Sequence, residues 1–223
     1  MPIPVHRRSR LKCSVVAVAA GFVVACGAPQ QPAPASSPEP AVINPARIDR
    51  VRAELPAGYE VTPLTGPVAP VTAWGYGPSW RVDPPGCAPL ADPAGAAPAH
   101  GWSASGPGGI VYAVVAAAPG TVDSAVLGEC GHFRVDGGRT TGSVDLTPAA
   151  PLESADTVAM ATASTTVVEG GTETRSRADT VLAYLGDNVA FVVAVTDPGA
   201  PHPQLDAGFA ASLLRKTVAA LRG

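Results

Sequence analysis

Lysine is almost missing from this 223-residue chain, which carries Lys12 and Lys216 and no others. Charged residues make up 15% and aromatics 5%, and there are four cysteines and four histidines. Each scarcity excludes something. So few cations, in a chain of formal charge −3, give no electrostatic footprint for nucleic acid. The cysteines form no C-x-x-C and have no nearby histidine pair, so metal-ligand spacing is absent and no metal or cofactor is expected. No apolar run reaches the roughly 20 residues that a membrane-spanning helix needs. Catalytic motifs are missing too. Gly101-Trp102-Ser103-Ala104-Ser105 fails the G-x-S-x-G pattern at its last position and reads as a loop ahead of a strand. Gly106-Pro107-Gly108-Gly109 lacks the flanking strand and helix of a phosphate loop.

What is present is first an address. His6, Arg7, Arg8, Arg10 and Lys12 precede an apolar stretch over residues 14–24, then small residues and Cys26. That layout is a cleavable export signal. Val23-Val24-Ala25-Cys26 resembles a bacterial lipobox, which implies cleavage after Ala25 and acylation of Cys26; an ordinary secreted protein cleaved nearby is the alternative. Residues 27–40 hold five prolines among alanine, serine and glutamine, a composition that forms neither helix nor strand and acts as a semi-rigid tether. Ser36 and Ser37 sit in a plausible mannosylation context. The expected organisation is a signal at 1–25, a tether at 26–43 and one domain at 44–223, moored extracytoplasmically on the cell membrane.

Removing residues 1–25 leaves 11 of the 15 Lys and Arg against 18 acids, a formal charge of −7. Cys13 leaves with the signal and Cys26 carries lipid, so Cys87 and Cys130 remain as a pair. In an oxidising compartment they are expected to form a disulfide rather than a metal or redox site. The 25 prolines and 24 glycines point to a loop-rich extracellular domain.

Along that domain, Asn44-Pro45 offers a helix cap and first-turn proline, with Ile48, Val51 and Leu55 on one side. Residues 59–65 alternate weakly as a strand, and 67–90 read as irregular. Residues 109–116 form a buried strand, and Thr121 is a possible cap for a short helix over 122–130. Glycine turns at 136–139, 169–171 and 186–188 separate strands at 133–135, 140–147, 158–168, 172–184 and 189–196, an antiparallel meander. Leu205, Phe209, Leu213, Leu214, Val218 and Leu221 line one side of a final helix. The fold class expected is α+β, a twisted antiparallel sheet of about five or six strands with helices packed on one face.

Trp74, Tyr76, Trp80 and Trp102 are the candidate ligand-binding residues, since aromatics in a Gly/Pro-rich segment can stack on sugars or enclose an apolar ligand. The alternative is that they supply core area to an aromatic-poor domain. A hydrolase would need Ser103 or Ser105 with His100 or His132 and a distant Asp; as the motif fails, these residues read as surface groups and catalytic residues are expected to be none.

The signal and lipobox, the tether, the short helix, Cys87-Ala88-Pro89-Leu90, the strand at Gly109, the helix ending at Cys130, the meander and the last amphipathic helix together resemble small mycobacterial lipoproteins of unknown function. These are similar to the PknH-like extracellular sensor domain. The chain departs from the sensor domains in lacking cysteines for a second disulfide. The resemblance implies a non-catalytic sensor-like domain outside the cytoplasmic membrane, partnered by a small molecule, glycan, lipid or protein and not by nucleic acid. An envelope serine hydrolase or a structural, adhesive surface antigen are the alternatives.

Overall fold

The computed structural model describes residues 42–196, 199 and 205–223, so Cys26 and most of the segment expected as signal and tether lie outside the described residues. Strands β1 (Glu60–Leu64), β2 (Arg81–Asp83), β3 (Ala99–Gly106), β4 (Gly109–Ala117), β5 (His132–Asp136), β6 (Thr140–Thr147), β7 (Asp156–Val167), β8 (Glu173–Leu185) and β9 (Asn188–Thr196) join in one sheet. Their order is β1-β3-β4-β9-β8-β7-β6-β5-β2, with every neighbour antiparallel. The five or six strands expected are therefore corrected to nine, while the α+β class holds.

The strands overlooked were short or disguised. In β3 the glycine and serines suggest a loop, yet Trp102 and Ala104 alternate inward while His100 and Ser105 stay exposed. Gly101 belongs there because an added Cβ would collide with the Ala113 carbonyl of β4. Strand β2 has three residues among prolines, too few for a period-two pattern to show.

Helices cover both faces, not one. The first face carries Val114, Met160, Leu182, Phe191 and Val193 and is covered by α1 (Pro70–Ala73), α2 (Ala88–Ala91), α3 (Ser124–Glu129) and the 3₁₀ turn Pro85–Cys87. The second carries Val111, Ala113, Val115, Val181, Val192 and Ala194 beneath α4 (Ala207–Arg222) and the 3₁₀ helix Pro45–Glu54. The cause is that β4 and β9 are apolar at nearly every position, so their outward residues on either side need cover. Leu213, Leu214, Val218 and Leu221 of α4 are buried, each contributing roughly 1.5–3 kcal/mol.

Side-chain caps fix the helix starts. Asn44 accepts from Ala46 N, and Asp206 accepts from Phe209 N at 2.8 Å. Asp123, not Thr121, caps α3 by accepting from Ala125 N. The Cys87–Cys130 disulfide forms between buried residues, with Cα atoms 5.6 Å apart and a separation of 43 residues. It fastens the 3₁₀ turn at Cys87 to the end of α3. The Asn44 amide donates to the Leu221 carbonyl at 2.9 Å, and Lys216 pairs with Glu54, so the start of the described chain sits at the C-terminal end of α4.

Candidate functional site

The four aromatics do not form one surface. Trp74 and Tyr76 are 2% and 3% exposed beneath the first face, whereas Trp102 is fully buried beneath the second. Their polar ends point into the protein: Trp74 Nε1 donates to Thr180 Oγ1 and Trp102 Nε1 to the Ile48 carbonyl. They supply core. Trp80 alone is half-buried, beside a shallow depression with Arg81, Val82, Pro85 and Ala88.

The groups of a hydrolase are dispersed. His100 lies on the second face of β3 and Ser103 and Ser105 on the first, as the alternation of a strand requires. His132, on β5, lies six strand positions from β3 in the sheet order. His132 Nδ1 meets Asp145 Oδ1 at 2.7 Å, with both side chains 57% exposed, as a surface pair.

A broad concavity lies elsewhere, on the second face beyond the N-terminal end of α4. It encloses about 580 Å³ over β5 to β8, a volume in the range of ligand sites. Register builds it. One row across the four strands reads Arg134, Ser143, Ala163, Arg177, and the next reads Asp136, Thr141, Thr165, Arg175. Small side chains make the floor and long cations stand at its edges. Arg134, Arg175 and Arg177 are exposed. Arg175 pairs loosely with Glu173 at 3.9 Å, while the side chains of Arg134 and Arg177 make no hydrogen bond or ion pair with a described residue. None of these groove residues was named from the sequence, where each reads as the solvated side of an alternating strand.

A third row, His132, Asp145, Ala161 and Asp179, borders the groove. Burial pushes the Asp179 carboxyl up from its ordinary value, Asp206 at the cap of α4 pushes it further, and Arg177 opposes both. This places Arg177 and the groove at the N-terminal end of α4. On the opposite side of the strands, Ser164 and Ser176 hydroxyls bond each other at 2.7 Å and Thr140 bonds Thr166 at 3.0 Å. Tyr76 lies below Gly142, its hydroxyl buried without a partner among the described residues. Burial, with Asp136 adding to it, pushes that phenol up to about 12.

Among the described residues no three or more His, Cys, Asp or Glu gather as metal ligands, and no helix is long and apolar enough to cross a membrane.

Residues 44–222 match the family described as "Domain of unknown function (DUF5642)". Of solved structures, the X-ray structure of an uncharacterized protein from Mycobacterium smegmatis, an ortholog of Rv0999, is 18% identical with a TM-score of 0.58, covering 82% of this chain and 98% of that one. That likeness shows a shared fold. The extracellular domain of PknH from Mycobacterium tuberculosis is 16% identical with a TM-score of 0.43, covering 80% of this chain and 93% of that one. No curated protein matches.

Proposed function

The chain belongs to the DUF5642 family, and from the groove it carries we propose that it is a non-catalytic, sensor-like domain that binds a ligand on the uncovered face of β5 to β8. The observation that carries this reading is the cavity of about 580 Å³ whose edges hold exposed arginines, Arg134 and Arg177 among them without an ion pair to a described residue, and whose floor is Ser143 and Ala163. Binding without chemistry is supported by the separation of His100 from Ser103 and by the exposed His132–Asp145 pair, which among the described residues leaves no histidine beside a candidate serine nucleophile.

The domain works outside the cytosol, on a tether over residues 26–43 that follows a cleaved signal at 1–25, with acylated Cys26 holding it to the membrane. The basic, apolar and small-residue order of the signal supports this, as does a buried disulfide, which persists in oxidising compartments.

Native mass spectrometry of the protein recovered from its own cell envelope tests the reading. The expected result is a co-purified mass on the native protein that is lost from an Ala163→Trp variant, whose new ring fills the floor. A clean unliganded mass for the native protein would contradict it.

A further inference from the structure

We infer that the groove takes a phosphorylated polyol, a sugar or cyclitol phosphate, with its phosphoryl oxygens held by Arg134, Arg175 and Arg177 and its hydroxyls by Ser143 and Thr165. The inference rests on the binding role proposed above and names the chemistry of that ligand.

Three arginines gather in a chain whose overall balance is acidic. Among the groove-lining residues Asp136 is the one counter-charge, and it is not ion-paired to Arg134. Asp145 and Asp179 border the groove and Glu173 lies 3.9 Å from Arg175, yet Arg134 and Arg177 form no ion pair with a described residue and so keep their donors free for an anionic group. Arginine suits phosphoryl oxygens because its planar guanidinium donates two parallel hydrogen bonds to one group.

Shape then restricts the size and polarity of the ligand. Arg134 and Arg177 stand at opposite ends of one row, three strand spacings apart, or about 14 Å between Cα atoms in a flat sheet. Between them are only Ser143 and Ala163, so the two cations flank an open floor and can engage groups on opposite sides of one ring. The side chains of the face offer hydroxyls rather than large apolar groups, which fits a polyol body and gives no seat to an acyl chain.

The groove lining offers no apolar seat for an acyl chain, so a soluble phosphate rather than a lipid headgroup is the source assigned. The amide of Asn44 binds the Leu221 carbonyl at the C-terminal end of α4, while Arg177 acts on Asp179 with Asp206 at the other end. Helix α4 has 16 residues, about 24 Å. The groove and the Asn44 end of the described chain therefore lie at opposite ends of α4.

Isothermal titration of the full chain in detergent with fructose 1,6-bisphosphate, with fructose as the neutral counterpart, tests this. The bisphosphate should bind, more weakly as salt rises, and Arg134→Gln and Arg177→Gln should each weaken it about tenfold or more. Arg50→Gln, outside the groove, should leave it unchanged. No bisphosphate binding, or binding indifferent to both groove variants, overturns the inference. Fructose binding as well as the bisphosphate, abolished by Ala163→Trp, overturns it while leaving the groove as a binding site. Flotation with phosphatidylcholine vesicles holding phosphatidylinositol 4-phosphate reads the source. No capture of the chain from which Cys26 is removed by Cys26→Ala is expected, and capture dependent on Arg134 and Arg177 would overturn the assignment away from lipid.

Discussion

The indole Nε1 of Trp74 donates to Thr180 Oγ1 at 2.8 Å, joining residues 106 positions apart inside the protein. That bond explains why an aromatic in a Gly/Pro-rich segment is not a ligand platform: α1 lays Trp74 against β8, where its one polar atom is satisfied. Trp74→Phe leaves the Thr180 hydroxyl buried and alone, at a cost of about 1–3 kcal/mol. Thr180→Val strands the indole instead. The double variant should cost less than the two single losses together, a coupling that chemical denaturation of all four proteins would reveal. Strict additivity would mean the bond contributes nothing.

Gly142 and Tyr76 are constrained by each other. A Cβ at Gly142 would press on the Tyr76 hydroxyl and the Ala163 carbonyl, so Gly142→Ala should lower the melting temperature and disturb the β6–β7 pairing. Tyr76→Phe removes a buried hydroxyl that has no partner among the described residues and should leave stability equal or raised. A clear loss in Tyr76→Phe would show that the hydroxyl is bonded in solution.

Asp179 gives a pH dependence with a definite sign. Its folded carboxyl binds its proton more tightly than the ordinary value of 3.8, through burial and then through Asp206. The stability this adds is full below 3.8 and is lost as pH rises through the raised folded value. At neutral pH the half-buried carboxylate is therefore a burden. Asp179→Asn should raise the melting temperature near neutrality, with the gain shrinking as pH falls towards 3.8. A gain that stayed constant with pH would rule out the titration as its cause.

The disulfide closes 43 residues of sequence. In the chain-entropy picture its removal destabilises the domain by about 4 kcal/mol at most. Cys87→Ala with Cys130→Ala should lower the denaturation midpoint accordingly, and an unchanged midpoint would show the cross-link to be dispensable.

Much of the fold was legible because local signals agreed. Gly138, at φ +81°, turns β5 into β6, and its amide donates to Asp136 as the Asp-Gly-Gly sequence suggested. The apolar stripe of α4 was visible at helical spacing, and cysteine arithmetic found the pair. What failed was local reading of non-local cover: Trp102 looks like a loop residue until β4 and the 3₁₀ helix at residues 45–54 close over it. The groove was hidden for a related reason. Arg134 and Arg177 lie 43 positions apart in sequence, and only the pairing of β5, β6, β7 and β8 puts them in one row.

The uncovered face of these four strands is the centre of the account, and photo-crosslinking in intact cells addresses it. A photoreactive amino acid at position 163, on the groove floor, should yield an adduct carrying a small polar ligand, while one at exposed Glu60 on β1 should not. Equal adducts at both positions, or none at 163, would contradict a binding site there.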